Sequence, residues 1–258
     1  MNDLVRRDRA GAIITVTLDS PANRNALSSG LLRELREALT GALGEDGVRV
    51  IVLTGAGPVF CSGADLKENR VNPGAAPGLN AAILQLIWDS PKPFVCRVNG
   101  SARAGGIGLI AACDIAVAPL SATFGFSEVR VGATPATIAV TCLRRMEPRA
   151  AAEYFLTGEA FGAPRAEQIG LLTRAVPDTE LDQETGRLAG LLLRGAPGAL
   201  AATKTVLREA AALPVPEALA RMAALSADRF ASAEAQEGMA AFAEKRDPGW
   251  VIPHEPAG

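Results

Sequence analysis

The stretch Phe94-Val95-Cys96-Arg97-Val98-Asn99-Gly100-Ser101-Ala102-Arg103-Ala104-Gly105-Gly106-Ile107-Gly108-Leu109 sets the architecture. Its first five residues read as a buried strand, and a turn of small residues then leads into a short helix. Asp114 to Ala118 reads as the next strand. Upstream, Ile14, Val16 and Leu18 alternate with Thr15 and Thr17, the period of a half-buried strand. Pro21 to Asn25 break it, and Ser28-Ser29 open a helix with Leu31, Leu32, Leu35 and Leu39 at helical spacing. Val48 to Leu53 reads as a strand closed by Thr54-Gly55-Ala56-Gly57-Pro58, and a second helix carries Ile83, Leu84, Ile87 and Trp88. Between them, residues 69–78, with Asn72-Pro73-Gly74 and Pro77-Gly78, read as the most flexible segment. Strands alternate with helices over roughly the first 145 residues, which predicts an α/β core. After residue 148 the pattern turns helical and alanine-rich, punctuated by Pro177, Pro197 and Pro214. The expected division is an α/β core over residues 1–195 and a helical region over 196–258.

The 258 residues are 48% hydrophobic, 21% charged and 4% aromatic, ordinary globular material with enough chain for a sizeable core. A formal net charge of −2 provides no basic face for phosphates, so no nucleic-acid partner is expected. No apolar run is long enough to span a membrane. The opening Met1-Asn2-Asp3-Leu4-Val5-Arg6-Arg7-Asp8 lacks the apolar centre of a signal peptide. Cys61, Cys96, Cys113 and Cys142 are widely spaced with no C-x-x-C pair, as small buried hydrophobes in a reducing compartment would be. The expected location is cytoplasmic. The single histidine, His254, is the fifth residue from the end. Ser–His–Asp and Cys–His systems need an imidazole in a cleft, and most catalytic zinc sites need several. Any chemistry here therefore falls to carboxylates and backbone amides.

Three segments could carry it. In Phe60-Cys61-Ser62-Gly63-Ala64-Asp65-Leu66-Lys67-Glu68 a small-residue turn leads into a helix start. It either leaves backbone N–H groups free to grip an anion or is a tight turn with Asp65 as N-cap. In the second, Gly106-x-Gly108-x-x-Ala111 satisfies a dinucleotide pattern, with Glu128 about twenty residues on. The glycines stand too far beyond the strand for that role, so close backbone approach to a ligand or to another element explains them better. In Phe124-Gly125-Phe126-Ser127-Glu128-Val129-Arg130-Val131-Gly132, Glu128 is either a carboxylate with a raised pKa or a surface charge paired with Arg130.

Together these segments resemble the crotonase family of enoyl-CoA hydratases and isomerases. Pro21-Ala22-Asn23-Arg24-Asn25-Ala26-Leu27 is similar to its early P-x-x-x-N-A-L segment, and Gly63 to Glu68 to its first oxyanion loop. Asn99-Gly100 through Gly105-Gly106, with Ala112-Cys113-Asp114-Ile115-Ala116, resembles its second. Phe242-Ala243-Glu244-Lys245-Arg246-Asp247-Pro248 is similar to its closing F-x-E-K-R-x-P. The resemblance implies a spiral of ββα turns with a C-terminal helical region used for oligomerisation, in trimers or pairs of trimers. It implies an acyl-CoA thioester substrate, with coenzyme A present only as part of it, no other cofactor and no metal. By position, the N–H groups of Ala64 and Gly105 would form the oxyanion hole and Glu128 would be the acid/base. Arg24, Ala26, Asp65, Leu66 and Lys67, and Lys245 from a neighbouring subunit, would contact substrate or coenzyme A; solvated surface charge is the other reading of Arg24, Lys67 and Lys245.

One departure stands out. Two-carboxylate hydratases carry a glutamate three residues after the second oxyanion glycine, and here that position is Gly108. A single carboxylate can still serve as acid and base. The expected reaction is hydration, with Δ3,Δ2-enoyl-CoA isomerisation or acyl-CoA binding without turnover as alternatives. Glycine at this position resembles a bacterial branched-chain-degradation subgroup that includes 3-methylglutaconyl-CoA hydratases. On that reading Gly108 enlarges the acyl pocket, and Arg103 or Arg130 pairs with a substrate carboxylate rather than forming a structural ion pair.

Overall fold

The computed structural model describes residues 3–72, 74 and 76–252; His254, and Pro73 and Ala75 of the 69–78 segment, lie outside the described residues. The strands are β1 (Val5–Ala10), β2 (Ile13–Leu18), β3 (Val50–Gly55), β4 (Val59–Cys61), β5 (Phe94–Arg97), β6 (Ser101–Arg103), β7 (Ile115–Pro119), β8 (Thr123–Gly125), β9 (Ala160–Gly162) and β10 (Arg174–Val176). The helices are α1 (Ser29–Gly44), α2 (Leu66–Val71), α3 (Pro77–Asp89), α4 (Gly105–Ala112), α5 (Ala136–Cys142), α6 (Pro148–Thr157), α7 (Ala163–Gln168), α8 (Leu181–Leu193), α9 (Pro197–Glu209), α10 (Val215–Phe230) and α11 (Ala233–Glu244).

Successive strands go to different sheets. One sheet has the order β1-β2-β3-β5-β7-β10 and the other β4-β6-β8-β9. Each of the pairs β3–β4, β5–β6 and β7–β8 sends one strand to each sheet before the chain turns into helix, which makes a spiral of ββα turns. Neighbours pair in parallel except β1 with β2 and β8 with β9. Every residue of β3 is buried, because α1 and the spiral interior cover one face and Ala189 and Leu193 of α8 pack with Val50 and Val52 on the other. Leu31, Leu32, Leu35 and Leu39 of α1 are fully buried, each contributing about 1.5–3 kcal/mol of apolar burial. Ser28 caps that helix by accepting from the Leu31 N–H.

The α/β class and the helical C-terminal region are as expected, and the departures have physical reasons. β1 carries Arg6-Arg7-Asp8-Arg9 and hides only Val5, because it is the sheet's edge and charge suits an edge. β4, β6, β8 and β9 are three residues each, too short to show a period. Strand β6 lies where a long turn was expected, so Ala104 alone separates a strand from Gly105. The C-terminal helices are tied to the core by Lys204, whose Nζ lies 2.5 Å from Asp114 Oδ2, and by Arg208, which donates to the Trp88 carbonyl. No helix among the described residues is long and apolar enough to cross a membrane.

Candidate active site

The site begins with a buried asparagine. Asn25 is fully buried; its Nδ2 donates to the carbonyls of Ala56 (2.9 Å) and Val59 (2.8 Å), and its Oδ1 accepts from the Ser20 N–H. This pins the Pro21–Leu27 segment onto the β3–β4 turn. Ser62 N–H then donates to Arg24 O and Leu27 N–H to Gly63 O, which hold the loop after β4 in an extended course. Asp65 caps α2, accepting from the Lys67 and Glu68 N–H groups. Ala64, just before it, has an N–H with no acceptor among the described residues.

A second loop meets the first. Gly63 (φ +90°) has no room for a side chain, since a Cβ there would stand 2.9 Å from the Ala104 Cβ. Ala104 itself has φ 48° and ψ −118°, a conformation an L residue adopts only under constraint. Its N–H is held by the Gly125 carbonyl at 3.1 Å. The twist starts α4 at Gly105, whose N–H is the first of the helix and also lacks an acceptor among the described residues. Ala64, Gly105 and Glu128 line one cavity of about 230 Å3, with Leu27, Pro77 and Ile138 among its apolar walls.

Glu128 opens a short 3-10 turn after β8. Its Oε2 is buried without a hydrogen-bond partner. Burial pushes its carboxyl above the usual glutamate range, opposed in part by its own backbone N–H. Arg130 does not pair with it: the Arg130 Nε donates to the Thr157 carbonyl at 3.2 Å. Glu128 Oε2 is thus uncommitted, in the same cavity as two N–H groups that have no acceptor among the described residues. Such a set can take a proton from carbon or water while the amides hold negative charge that develops on a carbonyl oxygen, each donor stabilising it by about 2.7–4 kcal/mol.

The other expected residues fall elsewhere. Arg24, Leu66, Lys67 and Lys245 are exposed, Ala26 is buried under the first loop, and none of them lines the cavity. Arg103 turns away: its Nη1 donates to the carbonyls of Ala102 (2.9 Å) and Thr123 (2.6 Å) and its Nη2 to Thr123 Oγ1. It is a brace between β6 and β8, in place of either an ion pair or a substrate contact. Gly108 does not enlarge the pocket. A Cβ there would stand 2.9 Å from Ile138 Cβ and closer still to its Cγ2, so the glycine lets α4 pack against α5. Gly106 likewise faces Cys61 of β4. The dinucleotide-like glycines are therefore packing residues.

Two asparagines lining the cavity, Asn69 and Asn80, were not anticipated. Asn80 stands three and four residues before Ile83 and Leu84, so a polar residue on an apolar helix face was the available signal. Among the described residues no group of three His, Cys, Asp or Glu stands close enough to hold a metal ion.

Comparison with known proteins shows the family. The family described as "Enoyl-CoA hydratase/isomerase" matches residues 8–252. A probable enoyl-CoA hydratase of Rhodobacter capsulatus is 37% identical over 95% of this chain and 96% of its own. A putative enoyl-CoA hydratase of Thermus thermophilus is 34% identical over 92% and 97%. The crystal structure of an enoyl-CoA hydratase from Mycobacterium smegmatis superposes with a TM-score of 0.92 at 33% identity, covering 97% of this chain and all of the other. The chain belongs to the enoyl-CoA hydratase/isomerase family.

Proposed function

We propose that this chain adds water across the double bond of an enoyl-CoA thioester, with Glu128 as the single acid/base and the Ala64 and Gly105 N–H groups as the oxyanion hole. The observation that carries this is the meeting, in a single apolar-walled cavity, of two N–H groups without an acceptor among the described residues and one burial-perturbed carboxyl whose Oε2 has no partner. Glu128 takes a proton from water as the oxygen adds to the β-carbon, charge collects on the thioester oxygen under the two amides, and Glu128 returns the proton to the α-carbon. Coenzyme A enters as part of the substrate, and no other cofactor is invoked.

The acyl group we favour is neutral. Among the described residues no lysine or arginine lines the cavity, and the Arg103 and Arg130 guanidinium groups are engaged with backbone elsewhere. A carboxylate-bearing acyl chain of the glutaconyl type would meet Glu128 without a cation to offset it. Branching has lost its argument too, because Ile138 fills the space beside Gly108. Isomerisation is the second reading, favoured by the lone carboxylate, since moving a proton between two carbons needs no water.

Residues 196–258 would serve assembly. Leu219, Phe230 and Phe242 are 66%, 65% and 88% exposed, and a second copy of the chain is the occupant the family resemblance implies, in a trimer or pair of trimers. We retain the cytoplasm as the proposed location. The test of the central reading is Glu128→Gln. It should fold, bind the acyl-CoA and lose about 10²–10⁴-fold in turnover, the usual range for a removed acid/base. Turnover near that of the parent enzyme would overturn the assignment.

A further inference from the structure

The side chain of Asn80 has no evident structural occupation. It lies in the first turn of α3, where its backbone N–H already bonds the Ala76 carbonyl. An asparagine within a helix ordinarily turns out to solvent or bonds nearby backbone, and is a poor helix former otherwise. Here the side-chain amide makes no hydrogen bond to any described residue, and its Oδ1 is buried. A buried amide oxygen without a partner is costly and persists where something outside the chain supplies the missing hydrogen. Asn80 lines the same cavity as Ala64, Gly105 and Glu128, and its Nδ2 lies 3.9 Å from where a Cβ on Gly105 would stand.

We propose that Asn80 Oδ1 holds the attacking water, accepting one of its hydrogens while Glu128 takes the other. This rests on the hydratase reading and extends it. A water aimed at carbon needs two acceptors to fix its lone pair, and Glu128 is the only carboxylate lining the cavity among the described residues. The position where a second one would be expected, Gly108, is closed by Ile138. The division of labour follows from chemistry. The proton given to Glu128 leaves the water and ends on the α-carbon. The hydrogen held by Asn80 stays on oxygen and becomes the product hydroxyl. The oxygen lone pair forms the new C–O bond, and the π electrons move to the α-carbon and thioester oxygen. An amide oxygen is too weak a base to take a proton, so Asn80 orients without titrating.

Two reactions separate this role from a structural one. Hydration of crotonyl-CoA needs the water. Exchange of the α-hydrogen of butyryl-CoA in heavy water needs Glu128 and the oxyanion hole but no attacking water. Asn80→Leu keeps the branched side-chain shape and removes the acceptor; it should lower kcat for hydration about 10–100-fold, with KM and the exchange rate within about 3-fold of the parent, the cost of a misaimed nucleophile. Asn80→Asp, which keeps an oxygen acceptor, should recover most of the loss. Equal loss of hydration and exchange in Asn80→Leu, without rescue, would make the residue structural and overturn the proposal. Unchanged hydration would overturn it as well. If the parent enzyme exchanges the α-hydrogen but hydrates no enoyl thioester, the hydratase reading itself fails and the water role of Asn80 with it.

Discussion

Replacing Gly105 with proline removes one oxyanion donor, and it also restricts Ala104, the residue before it, which stands at φ 48° and ψ −118°. Gly105 is the first residue of α4, the helix position where a missing N–H breaks no intrahelical bond and where the fixed φ of proline is favoured. Its N–H has no acceptor among the described residues, so the folded chain loses no hydrogen bond of its own. A Cβ at this position would stand 2.7 Å from the Leu27 Cδ1, the free end of a flexible side chain. Gly105→Ala makes the same Cβ demand on Leu27 and keeps the N–H, so the ratio between the two variants reports the exchange of the N–H for the proline Cδ, and the melts report any effect on the fold. A removed oxyanion donor costs about 10²–10³ in kcat, or roughly 2.7–4 kcal/mol of transition-state stabilisation. We expect Gly105→Pro to turn over crotonyl-CoA that much more slowly than Gly105→Ala, with KM changed far less because the ground-state carbonyl uses the donor weakly. Steady-state hydration followed by loss of enoyl absorbance, with thermal melts to confirm folding, is the assay. A kcat for Gly105→Pro within about 3-fold of Gly105→Ala, both folded, would refute the assignment of this N–H to the thioester oxygen.

Other outcomes follow from the same geometry. Glu128 must be ionised to accept a proton, so kcat/KM should fall as the pH drops through a pKa above 4.5, and the limb should vanish in residual Glu128→Gln activity. Because the folded state binds this proton more tightly than the unfolded one, Glu128 lowers stability as pH rises from the unfolded value to the raised one. Glu128→Gln should therefore melt higher than the parent at pH 7 and lose that advantage below pH ~4; equal melting at pH 7 would contradict the unpartnered burial. Gly108→Ala gains about 1 kcal/mol of helix propensity but overpacks Ile138 at a cost of about 1–3 kcal/mol, so the melting temperature should fall and Ile138→Ala should relieve part of the strain; a raised melting temperature would show that α4 and α5 have slack. Arg103→Met should destabilise the fold through the lost Thr123 bonds yet leave the kcat/KM ratio of methylglutaconyl-CoA to crotonyl-CoA within about 3-fold; a tenfold fall in that ratio would return Arg103 to the substrate.

The sequence by itself determined the α/β class, because buried strands such as Val50–Leu53 and the leucine face of α1 carry strong local periods. It also singled out Ala64, Gly105 and Glu128, since small residues at helix starts and a carboxylate in an apolar segment are local signals, and their order along the chain is a family pattern. The tertiary structure alone decided what depends on direction. Arg103 and Gly108 lie in the right segment but face β8 and α5, and only the crossing of the two sheets and the packing of α4 on α5 reveal that. Asn80 reaches the cavity from a helix that the sequence leaves without a neighbour, across 25 residues from Gly105 and 48 from Glu128. The strained Ala104 and the three-residue strands around it have no period to read. Their conformations are imposed by contacts distant in sequence, which is why the arrangement of the site had to come from the fold.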